Sequence, residues 1–177
     1  MITWFIPYKN IIPDDYVSSI FDIDYNKLYS NGKRLILTDL DNTLISYKAT
    51  EPTDELYKWK SELEGMGFEI IIVSNSGKKR VKHFANMLGI KYVNLSTKPL
   101  KRGFKKASKE LNLPYNELAI IGDQIFTDII GGNRCKMYTI LVEPISTREM
   151  YITAIKRGFE NKIIKQYMKK HKNKKEG

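Results

Sequence analysis

Residues Leu35 to Tyr47 read LILTDLDNTLISY, and this segment is the most informative one for the fold. It places Asp39 and Asp41 one residue apart, directly after an apolar run that is typical of a buried strand. Two like charges this close are costly unless a cation lies between them or one carboxylate holds a proton. The rest of the chain has to supply the explanation.

Apolar strand patterns alternate with helical patterns along the chain. We predict five strands, at residues 34–40, 68–76, 90–95, 117–123 and 137–142, and helices at 53–67, 78–89 and 101–112 with a short one near 125–131. Continuous apolar strands separated by helices indicate a parallel sheet that is covered on both faces. The predicted fold is therefore a doubly wound, Rossmann-like α/β sandwich with a five-stranded parallel sheet and helices on both faces.

The length and composition predict a single domain. A chain of 177 residues with 42% hydrophobic content is long enough to bury a core. We expect a helical lead-in over 1–33, a catalytic core over 34–142, a loop and basic helix over 143–170, and a frayed tail over 171–177. The single Cys135 fits a reducing compartment. Since neither an apolar run long enough for a membrane span nor a signal-peptide pattern is found, we expect a cytoplasmic protein.

The net charge of +10 is unevenly distributed. Residues 70–109 contain eleven Lys and Arg residues and no Asp or Glu, and residues 148–177 contain ten basic residues against three acidic ones. Such basic zones indicate an anionic partner, which could be nucleic acid, anionic lipid or a phosphorylated substrate. For the tail, a solvated lysine-rich surface explains the charge equally well.

Polar residues follow four of the predicted strands, at the edge where doubly wound sheets bind their ligands. Three of their carboxylates, from Asp39, Asp123 and Asp128, would face one point. Carboxylates with water and a substrate phosphate are the ligands that Mg²⁺ prefers. The polar residues at these strand ends include Asp39, Asp41, Asn42, Thr43, Ser74, Asn75, Lys98, Asp123 and Asp128.

These residue types suit phosphoryl transfer. A carboxylate such as Asp39, beside a metal-bound phosphate, can attack phosphorus and form an aspartyl-phosphate. Asp41, on the same side of an extended backbone, can protonate the leaving alkoxide and then activate water. Ser74 and Asn75 can hydrogen-bond phosphoryl oxygens, and Lys98 can offset the developing negative charge.

Four motifs in this order carry a resemblance to a known family. DLDNT (39–43), SNS (74–76), KP (98–99) and GDQIFTD (122–128) each follow a predicted strand. In this they resemble the phosphatases of the haloacid dehalogenase-like (HAD) superfamily, and within it the YqeG-type proteins of subclass IIIA, which are related to phosphatidylglycerophosphate phosphatases. The lead-in before Leu35 also resembles that of the YqeG-type proteins.

The resemblance implies roles for individual residues. Asp39 would be the nucleophile and Asp41 the general acid and base, while Lys98 would steady both the phosphate and the nucleophile. Asp123 would complete a Mg²⁺ site with Asp39 and the backbone carbonyl of Asp41, and Asp128 would either reach the metal through water or orient Lys98. The phosphoryl group would be bound by Asn42, Thr43, Ser74 and Asn75.

The resemblance also implies a substrate. No cap domain is expected, because Thr43 to Phe68 has room for only one helix. An open site would admit a phosphate on a large molecule, and the related phosphatases act on phosphatidylglycerophosphate. Basic residues after Arg148 and the aromatic residues Trp4, Phe5 and Tyr8 fit peripheral contact with an anionic membrane at its inner face. Packing of both segments on the domain is the alternative.

Other functions remain as alternatives. The substrate could instead be a soluble metabolite or a phosphorylated polynucleotide end, since both would fit an open site beside a basic zone. A basic nucleic-acid-binding module without catalysis is less favoured. Such a module needs aromatic residues interleaved with the basic ones as a stacking platform, and this sequence does not have that pattern.

Overall fold

The computed structural model describes residues 8–94, 97–146, 158 and 162–168. The predictions for Trp4, for Phe5 and for the tail 171–177 lie outside the described residues. Of the predicted loop and basic helix over 143–170, residues 143–146, 158 and 162–168 are described, and 158 and 162–168 are helical.

The centre of the molecule is a parallel sheet in the order β1-β6-β5-β2-β3-β4. Every neighbouring pair of strands is parallel. Because the chain goes from β2 to β3 and β4 on one side, and then to β5 and β6 on the other, the order reverses at β2. The strands are β1 (Asp15–Val17), β2 (Leu35–Thr38), β3 (Glu69–Ser74), β4 (Lys91–Asn94), β5 (Leu118–Gly122) and β6 (Tyr138–Val142).

Helices connect the strands, and their positions agree with the predicted pattern. Thr53 caps the helix after β2, since its side chain accepts a hydrogen bond from the Leu56 backbone N–H at 3.3 Å. A π-helical turn (Ile125–Ile129) leads into the last described connecting helix. The helices are α1 (Tyr25–Ser30), α2 (Asp54–Gly65), α3 (Lys78–Leu88), α4 (Lys101–Leu111) and α5 (Ile130–Arg134).

Alternate residues of the central strands face opposite sides of the sheet, and both sides are covered. Ile36 of β2 packs in the core that includes α2 and α3, where Trp59 and Phe84 are buried. Leu37, the next residue, packs in a second core with Phe104 of α4. This alternation follows from the period of two in a strand, and it confirms the predicted doubly wound α/β fold.

The sheet has six strands instead of the predicted five. The additional strand, β1, lies in the lead-in that was predicted to be helical, where α1 is the α-helix that the structure describes. It pairs with β6 and is anchored by Asp14, whose carboxylate accepts a hydrogen bond from the Thr139 backbone N–H at 2.8 Å. A three-residue edge strand with the sequence DYV has no apolar run, and the hydrophobic pattern therefore did not reveal it.

The register of the sheet brings the carboxyl ends of three strands together. Thr38, the last residue of β2, pairs with Ile72 of β3 and Ile121 of β5. Between Thr43 and Phe68 the structure has α2 as its regular helix and no inserted domain, as predicted. Residues that follow β2, β3 and β5 are therefore neighbours at one edge of the sheet. Residues 43–68 contribute no cap over this edge.

The described part of the chain contains no helix that is both long and apolar enough to cross a lipid bilayer.

Candidate active site

Asp39, the first residue after β2, has its carboxylate beside a buried lysine. Lys98 Nζ lies 3.0 Å from Asp39 Oδ1 and 2.6 Å from Asp128 Oδ1. All three side chains are at most 9% exposed to solvent. Since water is largely excluded, the lysine charge acts on both carboxylates with little screening. Lys98 thus bridges two of the predicted site residues, one directly after β2 and one in the π-helical turn after β5.

Asp128 reaches this position because the backbone of Gly122 leaves space for it. A Cβ atom at Gly122 would overlap the Asp128 side chain. The carboxylate of Asp128 also accepts hydrogen bonds from the Gln124 backbone N–H and the Thr127 hydroxyl, each at 3.3 Å. These contacts hold Asp128, in the π-helical turn, beside the end of β5 and in contact with Lys98.

Asp123 adds a third carboxylate to the group. One oxygen from each of Asp39, Asp123 and Asp128 lies within 4.8 Å of the other two. The Thr43 hydroxyl is 3.4 Å from Asp123 Oδ1 and is oriented to donate to it. The structure thus brings together the three carboxylates that the sequence predicted to face one point.

Burial and the neighbouring charges shift the pKa values of the residues in this group. Burial, and then the neighbouring charges of Asp128 and Asp39, raise the pKa of Asp123 to about 8. Burial likewise raises the pKa of Asp128, although the Lys98 ammonium works against that rise. Burial alone would lower the pKa of Lys98, but the Asp128 and Asp39 carboxylates outweigh it and raise that pKa. One lysine cannot neutralise three carboxylates, and the set therefore suits a further cation.

The oxygens of this group fit Mg²⁺. Carboxylates that converge from separate strands, with no sulfur or nitrogen ligand among the described residues of the cluster, are a hard donor set. A divalent cation would also remove the repulsion that raises the pKa of Asp123. Asp39, Asp123 and Asp128 are therefore the side chains that could hold the metal.

The Asp41 carboxylate lies outside this group and is paired with a different cation, Arg80. Arg80 contacts Asp41 Oδ1 through Nε at 2.8 Å and through Nη2 at 2.7 Å. Ser76 donates its hydroxyl to the other oxygen, Oδ2. Asp39 and Asp41 thus avoid mutual repulsion because the first faces Lys98 and the second faces Arg80. This arrangement differs from both explanations offered for the pair, which were one cation between the two carboxylates or a proton on one of them, because each carboxylate contacts a cation of its own.

The structure places the predicted phosphate-binding residues around the same strand ends. Asn42 adopts a left-handed backbone conformation with φ of 61°, and its backbone N–H donates to Ile45 O at 2.7 Å. Thr43 is buried and faces Asp123. Ser74 is buried at the end of β3. The left-handed turn at Asn42 directly follows Asp41, whose carboxylate contacts Arg80 of α3.

Asn75 has a structural contact that the sequence did not suggest. Its side-chain Nδ2 donates to Lys98 O at 3.2 Å, and its Oδ1 accepts from the Lys98 backbone N–H at 3.0 Å. The amide therefore joins the end of β3 to the loop that carries the buried lysine. A role in phosphate binding stays a prediction for this residue.

Arg80 and Ser76 are the residues whose contacts sequence reasoning missed. Arg80 was counted only among the basic residues of 70–109, and Ser76 was left without a role. Arg80 also donates to Ala49 O at 2.7 Å and to Ser46 O at 3.3 Å, and so it ties the segment after β2 to α3. The need of Asp41 for a counter-ion was the signal that could have pointed to this arginine.

Comparisons with known proteins agree with this architecture. A family model described as haloacid dehalogenase-like hydrolase matches residues 14–136. A Bacillus subtilis (strain 168) protein named Probable phosphatase YqeG is 36% identical over 162 residues, which are 92% of this chain and 94% of that protein. The chain therefore belongs to the haloacid dehalogenase-like hydrolase family, and it is a phosphatase of that family. The predicted resemblance to YqeG-type proteins is confirmed.

Two further similarities are more distant. Phosphatidylglycerophosphate phosphatase 1, chloroplastic/mitochondrial, of Arabidopsis thaliana is 26% identical over 175 residues, which are 90% of this chain and 49% of that protein. This chain thus corresponds to about half of the plant protein. A crystal structure of a Listeria monocytogenes serotype 4b protein superposes with a TM-score of 0.53 at 18% identity, over 68% of this chain and 87% of that one. That likeness supports the fold.

Proposed function

We propose that this phosphatase hydrolyses a phosphomonoester with Mg²⁺ through an aspartyl-phosphate intermediate at Asp39. The observation that carries the proposal is the convergence of Asp39, Asp123 and Asp128 within 4.8 Å, with Lys98 buried beside them. Such a group at the carboxyl ends of parallel strands is suited to binding a metal and a phosphate together.

Residues of this chain would hold the metal and position the phosphate. Mg²⁺ would be bound by carboxylates of Asp39, Asp123 and Asp128 together with the backbone carbonyl of Asp41, and it would supply positive charge for the phosphoryl oxygens. Lys98 would add a second positive charge at the nucleophile, from which its Nζ lies 3.0 Å. Hydrogen bonds to the phosphoryl oxygens would come from Asn42, Thr43, Ser74 and Asn75.

The first half of the reaction transfers the phosphoryl group to the protein. An Asp39 carboxylate oxygen attacks phosphorus, and the bond from phosphorus to the ester oxygen breaks. Asp41 donates its proton to the leaving alkoxide, which departs as an alcohol. The ion pair with Lys98 Nζ, at 3.0 Å, holds the Asp39 carboxylate in position for this attack.

The second half releases phosphate. Asp41, now ionised, takes a proton from water, and the water oxygen attacks the phosphorus of the aspartyl-phosphate. The bond from phosphorus to the Asp39 oxygen breaks, which yields inorganic phosphate and restores both carboxyl groups. Arg80 and Ser76, which contact the Asp41 carboxylate, are placed to keep it at this position between the two half-reactions.

We further propose that the substrate is phosphatidylglycerophosphate at a membrane surface. The two similar proteins from Arabidopsis thaliana and Chlamydomonas reinhardtii that are named phosphatidylglycerophosphate phosphatases support this substrate. An edge that no inserted domain from residues 43–68 covers can accept a head group that remains in its membrane. Among the basic residues of 70–109, the exposed Lys78, Lys101 and Arg102 would favour contact with an anionic leaflet.

Phosphate release from phosphatidylglycerophosphate in mixed micelles tests the proposal. A soluble phosphomonoester and oligonucleotides phosphorylated at the 5′ or 3′ end serve as competing substrates, and the Asp39→Asn variant serves as the matched control because it keeps the shape of the side chain. We expect Mg²⁺-dependent release from the lipid that the variant loses. Release from a soluble ester or an oligonucleotide in place of the lipid would refute the lipid assignment and leave the reaction intact. Asp39→Asn activity equal to that of the wild type would refute the mechanism.

A further inference from the structure

A second cationic site lies outside the candidate active site. A depression of about 520 Å³ is lined by residues from three separate segments of the chain, and none of the carboxylates or phosphate-binding candidates described above is among them. Its lining residues are Lys9, Asn10, Lys101, Asn133, Arg134 and Lys136.

The charges around this depression are all positive. Lys9, Lys101, Arg134 and Lys136 are exposed, and among the described residues none of these four side chains forms an ion pair with a carboxylate. In the candidate active site, by contrast, Lys98 and Arg80 each form an ion pair with an aspartate. Like charges that share one concave surface repel each other, and an anion between them removes that cost.

The backbone that carries these cations is held in place. Asn133 donates its side-chain amide to Asn10 O at 3.0 Å and to Ile12 O at 2.9 Å, which fixes the segment of Lys9 against α5. The turn before β6 is closed by hydrogen bonds from the Lys136 N–H to Asn133 O at 3.0 Å and from the Met137 N–H to Gly132 O at 3.1 Å. The backbone that carries the charged side chains is therefore already ordered by these hydrogen bonds before any ligand binds.

We propose that this depression binds a phosphate group that is distinct from the one hydrolysed at Asp39. Lysine ammonium groups and an arginine guanidinium are the groups that bind phosphate oxygens by charge-assisted hydrogen bonds. The open, exposed form of the depression accepts either a free phosphate ion or the phosphate of an anionic lipid head group. The second source would hold the protein on a membrane while the active site works on another molecule.

Chemical shifts of backbone amides measure binding at this depression separately from binding at the active site. In ¹H–¹⁵N spectra, inorganic phosphate should move the amides of Asn10, Asn133 and Lys136. The triple variant Lys9→Gln/Arg134→Gln/Lys136→Gln should lose these shifts. The control variant Lys105→Gln/Lys106→Gln/Lys109→Gln removes the same charge from exposed positions of α4, and it should keep them.

Cosedimentation with vesicles distinguishes the source of the phosphate. Vesicles that contain phosphatidylglycerol are compared with vesicles of phosphatidylcholine alone. If the head group is the ligand, the triple variant should bind the anionic vesicles about tenfold more weakly than the control variant does. If free phosphate is the ligand, the shifts appear with phosphate while the two variants bind vesicles equally.

Two results would overturn the proposal. The first is that neither phosphate nor anionic vesicles perturb these amides. The second is that the triple and control variants lose the phosphate-induced amide shifts to the same extent, because the effect would then follow net charge and not the depression. Hydrolysis of a soluble phosphomonoester should be unchanged in the triple variant, and this measurement separates the second site from the proposed active site.

Discussion

Arg80 holds a single oxygen of the Asp41 carboxylate with two of its nitrogen atoms, Nε at 2.8 Å and Nη2 at 2.7 Å. The arginine comes from the first turn of α3, whereas the aspartate follows β2. The contact therefore joins the proposed general acid and base to an element that the catalytic motifs do not include. Because Arg80 also binds the carbonyls of Ala49 and Ser46, it fixes both the carboxylate and the loop beyond it.

Removal of this contact should slow the chemistry more than it weakens substrate binding. We expect Arg80→Gln to lower kcat by about 10- to 100-fold, since a small displacement of a catalytic group has an effect of that size, with a smaller change in KM. Arg80→Lys should recover part of the loss, because it keeps the charge but has a single nitrogen. Steady-state kinetics measure both constants. Lys79→Gln, at the exposed neighbouring position, is the control, and equal kcat values in all variants would refute this role.

Lys98 should be required for stability as well as for activity. Lys98→Met leaves the buried carboxylates of Asp39 and Asp128 without their cation, and such a loss costs about 3–5 kcal/mol of unfolding free energy. We expect urea denaturation to show that loss and phosphate release to disappear. Lys106→Met, which changes an exposed lysine of α4, should leave both unchanged. A Lys98→Met protein as stable as the wild type would show that the bridging ion pairs contribute nothing.

Gly122→Ala should disrupt the site by displacing Asp128. The added Cβ would overlap the Asp128 side chain, and the displacement would be passed to Lys98. We expect a destabilisation of about 1–3 kcal/mol and weaker Mg²⁺ binding by calorimetry. Gly65→Ala is the matched control, because a Cβ there meets nothing within 4 Å and lies in a helix, where alanine is favoured. Unaltered Mg²⁺ affinity in Gly122→Ala would contradict the geometry.

Mg²⁺ should stabilise the protein more at alkaline than at acidic pH. The pKa of Asp123 is about 8 in the folded protein, above its ordinary value of 3.8, so the folded state binds more protons than the unfolded state between these values. Without divalent cations, this carboxyl group therefore makes folding less stable as pH rises from about 4 to about 8. A bound cation replaces the proton and removes the repulsion.

Thermal unfolding in chelator and in excess Mg²⁺ measures this effect. At about 100 times Kd and near pH 8, we expect Mg²⁺ to raise Tm by about 5 °C or more. Near pH 5 the increase should be smaller, because protons compete for the carboxylates. Asp123→Asn should lose most of the pH dependence. An increase that is the same at both pH values would mean that these carboxylates do not bind the ion.

The fold and the carboxylate group could be predicted because each depends on a strong local signal. Apolar runs revealed β2 and β5, and residues at the ends of parallel strands meet whatever the rest of the chain does. That rule was enough to bring Asp39, Asp123 and Asp128 together without any knowledge of distances. The same rule predicted that Lys98 lies at this edge of the sheet, whereas its burial was seen only in the structure.

Other features depend on contacts that no local pattern reports. The strand β1 is held by Asp14 and its pairing with β6, with no apolar run of its own. The direction of the Asp41 side chain depends on the left-handed turn at Asn42 and on the position of Arg80 across the cleft. Such contacts between distant segments arise from tertiary packing, and one sequence by itself does not reveal them.

Chemical trapping of the phosphorylated residue tests whether Asp39 is the nucleophile. The protein is mixed with p-nitrophenyl phosphate and Mg²⁺, quenched, and treated with borohydride, which reduces an aspartyl-phosphate to an alcohol that peptide mass spectrometry can locate. We predict the alcohol at position 39, more of it in Asp41→Asn because that variant cannot activate water, and none without Mg²⁺ or in Asp39→Asn. Continued turnover with no reduced residue at position 39, or with one at another aspartate, would contradict Asp39 as the nucleophile.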